Sequence, residues 1–222
     1  MHSATAHRCV MSRLAVRHLS QEAIWAELIG RIGRPRLEIE RGRSPYEALL
    51  RAIAHQQLHG AAARAILARF QALYDGGTFP LPAQVLSTPE ATLRSCGFST
   101  AKIICLREIC ARTVDGTVPT RRQAAVLTDA ELIERLTGIR GVGRWTVEML
   151  LIFTLGRPDV LPVDDFGVRD GYRALYRLAE QPKPRDLAAI GEAWAPFRST
   201  AAWYLWRASD EAKRVKEPTS RA

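Results

Sequence analysis

Signals that start α-helices recur along this chain, and no run alternates apolar with polar residues as a half-buried strand does. "SPYEALLRAIAHQQL" opens with Ser44 as an N-cap, Pro45 at the first helical position and Glu47 placed to complete a capping box. Leu49, Leu50 and Ile53 then mark one helical face. A second amphipathic run, "AAARAILARFQALY", follows Gly60 and stops at Gly76-Gly77. "TPEATLRSCGF" repeats the cap-and-proline logic at Thr88 and Pro89, and "STAKIICLREICARTVDG" reads as a longer helix closed at Asp115-Gly116. Thr128 and Glu131 form another capping box in "TDAELIERL". Farther on, "WTVEMLLIFTL" is a buried helix ending at Gly156, and "RPDVLPVDD" is an extended connection stiffened by proline. "DFGVRDGYRALYRLA", "RDLAAIGEAWA" and "FRSTAAWYLWRAS" are helical. The pattern predicts an all-α chain of about nine or ten helices.

The same pattern divides the chain into a flexible leader over residues 1–18, one domain over 19–210 and a polar tail over 211–222. Lys and Arg outnumber Asp and Glu by 32 to 23, a net charge of +9, which favours a polyanionic partner. Nucleic acid is the better candidate, because nothing resembles a basic amphipathic membrane helix and no stretch is long and apolar enough to span a bilayer. The N-terminus has no continuous apolar run of the secretory kind. Cys9, Cys96, Cys105 and Cys110 have neither metal-finger spacing nor scaffold density; Cys105 and Cys110 read as reduced core residues. A cytoplasmic location follows, at the nucleoid if the source is bacterial. His55 and His59 lack a third ligand and read as contacts to DNA or solvent rather than a metal site.

"LIERLTGIRGVGRWTVEMLL" places a glycine-rich turn between two helices, a hairpin over about residues 136–150. Gly141 and Gly143 flank Val142, so the turn can take backbone angles that a Cβ resists. Bare backbone also lets N–H groups approach a phosphate closely, with Arg144 beside them. Ile139 and Val142 are expected to anchor the turn in the core. Such contacts hold a strand without reading its sequence. Downstream, one of Asp164 and Asp165 can cap the following helix, and the other can act on a sugar as positive charge builds there.

"LTGIRGVGRWT" followed by "VLPVDDFGVRD" resembles the helix-hairpin-helix DNA glycosylase superfamily, and more narrowly its 3-methyladenine DNA glycosylase II branch. "RAIAHQQLHGAAARAI" and "APFRSTAAWYLW" are similar to further segments of that branch, in matching order from about Ser44 to Arg207. The resemblance implies a two-lobed helical fold with the active site in the cleft between lobes. It implies hydrolytic removal of alkylated bases, of the 3-methyladenine and 7-methylguanine type, from double-stranded DNA. Asp165 is then the catalytic carboxylate and Asp164 the helix cap. Trp145, Met149 and Trp206 line the base pocket. Gly141, Gly143 and Arg144 hold the DNA strand, and Gln57 or Leu58 fills the gap left by the flipped base.

Two departures from the family pattern bear on the chemistry. Lyase-type relatives carry a lysine nucleophile where this chain has Trp145, so the resemblance implies a monofunctional enzyme. An indole face there suits a cationic base, whereas Met149 replaces a flat tyrosine with a softer side chain. No cysteine follows Cys110, so the iron–sulfur loop of some relatives is absent. No cofactor is required, a monovalent cation at the hairpin is the one ion allowed, and the chain is expected to act as a monomer. Rival readings are a non-catalytic helix-hairpin-helix DNA-binding module, a helical interaction scaffold, an oxidised-purine glycosylase/lyase, and a glycosylase for 1-methyladenine or 3-methylcytosine.

Overall fold

The computed structural model describes residues 12–58, 60–74 and 78–216. Cys9, His59 and the Gly76-Gly77 stop lie outside them, as do residues 1–11 of the expected leader and 217–222 of the expected tail. The chain begins with α1 (residues 12–19) and α2 (Ala23–Ile32). Next come α3 (Pro45–His55), α4 (Gly60–Ala72), α5 (Pro82–Ser87), α6 (Glu90–Ser95) and α7 (Thr100–Val114). After α8 (Arg121–Val126) and α9 (Asp129–Thr137), α10 (Arg144–Met149) runs on as a π-helix over Leu150–Leu155. The chain closes with α11 (Phe166–Leu175), α12 (Pro184–Gly191) and α13 (Arg198–Lys216). Among the described residues there is no strand, as the capping signals predict, but the helices are more numerous and shorter than expected.

Two compact units result, one of Met1–Glu38 with Gly156–Ala222, the other of Ile39–Leu155. In the first, Trp25, Leu28, Val168, Trp194, Tyr204 and Leu205 form the core. Residues 12–18, expected to be loose, are helical because Ala15 and Leu19 lie one turn apart and both are buried. At the other end α13 continues to Lys216, past the expected limit near 210, through a run of good helix formers from Glu211 to Lys216. α11 and α13 pack so closely that a Cβ on Gly171 would overlap the backbone of Leu205. Asp170 links the same pair through Ser209 Oγ at 2.7 Å, and Arg173 Nε donates to it at 3.0 Å. Burial alone would push the Asp170 carboxyl up, but these hydrogen bonds and the Arg173 charge bring it below its ordinary value. The stiff connector is pinned by the Arg198–Asp159 ion pair (2.8 and 2.9 Å) and by Ser199 Oγ, which donates to Arg157 O and accepts from Val160 N.

In the second unit α7 packs on α3 and α5 around Leu49, Leu50, Ile53, Leu106 and Ile109. Ser44 caps α3 as predicted, accepting from Glu47 N at 3.1 Å, but the Glu47 carboxylate turns to Arg51 (2.8 Å) instead of completing the box. Thr128 and Glu131 form both arms of theirs. Thr88, read as an N-cap, instead donates back to Gln84 O at the end of α5. Cys110 is buried and its thiol is pushed up to about 11 by that burial, whereas Cys105 is only half-buried. The apolar run after Trp145 packs three consecutive side chains, Leu150, Leu151 and Ile152, into the core through its π turn.

Candidate active site

The glycine turn begins at Gly138, the C-cap of α9. Ile139 and Val142 are buried and anchor it as expected. The two glycines that flank Val142 differ in kind. Gly141 has φ +84° and a Cβ there would run into Cys105 Sγ, so glycine is required twice over. Gly143 is in ordinary extended conformation (φ −88°, ψ 167°), and nothing lies within 4 Å of where its Cβ would be. Freedom of φ is therefore not what Gly143 supplies; it leaves open space at the entrance to α10. Arg144 follows with 58% of its side chain exposed, and its Nε donates to the buried Glu148 carboxylate at 2.9 Å. The carbonyls of Ile139 and Gly141 each accept one hydrogen bond, from Val142 N and Gln56 Nε2, which leaves each a second lone pair.

A second turn, between α3 and α4, lies against the first. Gln57 takes the left-handed conformation (φ +57°) and Leu58 is 40% exposed. The neighbouring Gln56, which the sequence reading passed over, donates its amide to Gly141 O at 3.1 Å.

Trp145 and Met149, which the resemblance assigns to a base pocket, both line one cavity of about 540 Å³. Trp145 is 39% exposed. The rest of the lining was not expected. Arg43, Arg51 and His55 come from α3 and its approach, and Arg64 from α4. Their excess positive charge is moderated by Glu40 and Glu47, which pair with Arg43 and Arg51. Burial and the neighbouring Arg51 charge hold Arg43 below the ordinary arginine value. His55 Nδ1 lies 2.8 Å from Arg51 O, which makes that nitrogen the donor and turns Nε2 outward. No amphipathic pattern could have singled out these residues, because α3 shows the same apolar face with or without a cavity beside it.

In the other unit, Asp165 and not Asp164 caps α11. Asp165 N donates to Pro162 O in a turn that leaves Asp164 exposed at its corner and delivers Asp165 to the N-cap. Asp165 Oδ1 accepts two hydrogen bonds of 2.8 Å each, from Val168 N and from Trp206 Nε1. Trp206, expected to line a base pocket, thus places its N–H on the carboxylate. Gly167 makes this contact feasible, since a Cβ there would lie 2.8 Å from Trp206 Cδ1 and 3.2 Å from Asp165 Oδ1. The sequence reading missed it, although a glycine in the first turn of a helix, with no turn to make, is a signal of close approach. Among the described residues no group of three His, Cys, Asp or Glu side chains could hold a metal ion.

Known proteins give the chain its family. Over 194 residues the chain is 47% identical to DNA-3-methyladenine glycosylase 1 of Schizosaccharomyces pombe, covering 86% of this chain and 85% of that protein. It superposes with a TM-score of 0.81 on the structure of the Schizosaccharomyces pombe 3-methyladenine DNA glycosylase in complex with abasic DNA, at 46% identity over 88% of this chain and 96% of that one. A DNA-3-methyladenine glycosidase from Bacillus halodurans gives a TM-score of 0.79 at 32% identity, with 89% of both chains covered. The model of the HhH-GPD superfamily of base excision DNA repair proteins matches residues 50–196, and the chain belongs to that superfamily.

Proposed function

We propose that this chain is a monofunctional DNA glycosylase, which flips alkylated bases of the 3-methyladenine and 7-methylguanine type out of double-stranded DNA and removes them by hydrolysis. The observation that carries this reading is the Asp165 carboxylate, whose Oδ1 is oriented by Val168 N and Trp206 Nε1. Held there, its charge stabilises the cationic sugar as the bond from C1′ to the base nitrogen breaks and the electron pair leaves with the base. Water then bonds to C1′, its proton passes to the carboxylate or to solvent, and an abasic strand remains. Because Oδ1 already serves two donors, charge stabilisation is its first role and proton transfer its second.

Trp145 offers its indole face to the flipped cationic base, worth roughly 0.5–2 kcal/mol, with Met149 packing beside it. Trp206 holds Asp165 through its N–H while its ring remains half-buried at the same corner. Gly143 and Arg144 meet the strand's phosphates, and Leu58, beside Gln57, enters the gap. A monovalent cation at the glycine turn would be held by its backbone carbonyls and would add positive charge at the strand. Strand cleavage needs an amine nucleophile. Trp145 supplies none, and Lys102, the one lysine between residues 39 and 155, has its Nζ committed to two carbonyls.

Release of free bases from methylated duplex DNA tests the proposal, wild type against Asp165→Asn. Methylated purines released by wild type alone, with strand breaks appearing only after alkali, are the expected result. Tight saturable DNA binding with no release would point instead to a non-catalytic DNA-binding module. Breaks without alkali would overturn the hydrolytic assignment.

A further inference from the structure

α3 ends with the carbonyls of Ala54 and Gln56 directed beyond its last turn, and both accept from one ammonium, Lys102 Nζ, at 2.9 and 2.7 Å. On electrostatic grounds that lysine is oddly placed. It sits in the first turn of α7, three residues after the N-cap Ser99, where the helix dipole disfavours a cation. Burial lowers its pKa as well. The negative C-terminal end of α3 is what offsets both costs. Three residues on, and therefore on the same face of α7, Cys105 lies directly beneath Gly141. α7 thus supports both turns, Lys102 under the one that carries Leu58 and Cys105 under the glycine turn. Gln56 joins the turns to each other: its acceptor is a backbone carbonyl, so the amide must present its NH₂ to Gly141 O.

We propose that Gln56 and Lys102 are positioning residues that fix the Gln57–Leu58 turn against the glycine turn, so that a wedge enters the base stack only where the strand is already gripped. The inference rests on the glycosylase reading and concerns the coupling of two contacts, not the chemistry at Asp165. A single hydrogen bond of this kind is worth roughly a five-fold change in an equilibrium.

The test uses a duplex with 2-aminopurine stacked beside an abasic-site analogue, whose fluorescence rises as the wedge enters. Affinity for undamaged duplex is measured alongside it. Gln56→Met keeps the side-chain length and removes the donor. Its insertion equilibrium should fall roughly five-fold while affinity for undamaged duplex stays within about two-fold. In the DNA-free protein, amide exchange at residues 56–58 should quicken. Lys102→Met should behave likewise, and Lys102→Arg, which keeps charge and donors, should recover most of the loss. Wild-type insertion and exchange in Gln56→Met would overturn the proposal, as would equal losses on damaged and undamaged DNA. If wild type neither brightens the probe nor releases a base, the glycosylase reading fails and this inference with it; if wild type does both and Gln56→Met matches it, the inference alone fails.

Discussion

At the scale of single residues, the most informative contact is the one between Trp206 and Asp165. A hydrogen bond to a charged acceptor contributes about 1.5–3 kcal/mol, and Phe in place of Trp206 removes the donor while retaining an aromatic ring. Trp206→Phe should lower kcat roughly ten- to hundred-fold, with little change in affinity for damaged duplex. A matching loss of affinity would make Trp206 a base-binding residue, as the sequence first suggested. Asp165→Asn is a gentler change than it looks. Asn keeps a carbonyl oxygen that can accept from both Val168 N and Trp206 Nε1, so the charge disappears while the corner stays assembled. The sequence could name Asp165 only through a resemblance, and it gave the helix cap to Asp164, whereas Asp165 holds it. Which of two adjacent carboxylates caps a helix depends on the turn from Pro162, one residue of register that composition does not encode.

At the scale of elements, the glycine turn separates two uses of a missing side chain. Gly141→Ala meets both a left-handed backbone and the Cys105 sulfur, and should cost roughly 2–4 kcal/mol of stability in denaturant unfolding. Gly143→Ala meets neither and should leave the unfolding midpoint almost unchanged while weakening binding to undamaged duplex. Equal stability losses in the two variants would show that Gly143 is required by the fold, and unchanged duplex binding by Gly143→Ala would show that the open space there has no bearing on DNA. Helix existence was widely legible, since Ser44 and Thr128 each cap where the pattern places them. The N-terminal helix was not: in α1 the apolar pair Ala15 and Leu19 is masked by flanking His and Arg. The π turn after Met149 was equally hidden, because a continuous apolar run has no period that distinguishes one helical pitch from another. Cavity linings escaped for a related reason. Arg43, Arg51 and Arg64 look like any solvated helix face until α3, α4 and α10 surround a common space.

At the scale of the molecule, charge is the property that sequence conveys most directly. A net charge of +9 on 222 residues makes association with duplex DNA steeply salt-dependent through counterion release. Among the described residues no helix is long and apolar enough to cross a membrane. If Arg144 meets a phosphate, Arg144→Gln should reduce the slope of log affinity against log salt by about one. An unchanged slope would place Arg144 outside the contact.

Gly171 has a longer reach than its size suggests. At Gly171 α11 meets α13 backbone against backbone, with no side chain at that point to be traded for a larger or smaller one. Mutational drift in a core ordinarily shifts helices by small amounts, as one side chain's volume is exchanged for another's. Here the spacing is set by peptide units, which every sequence shares. Side chains around α11 and α13 can therefore change over generations while the carboxylate at the start of α11 keeps its bearing on α13.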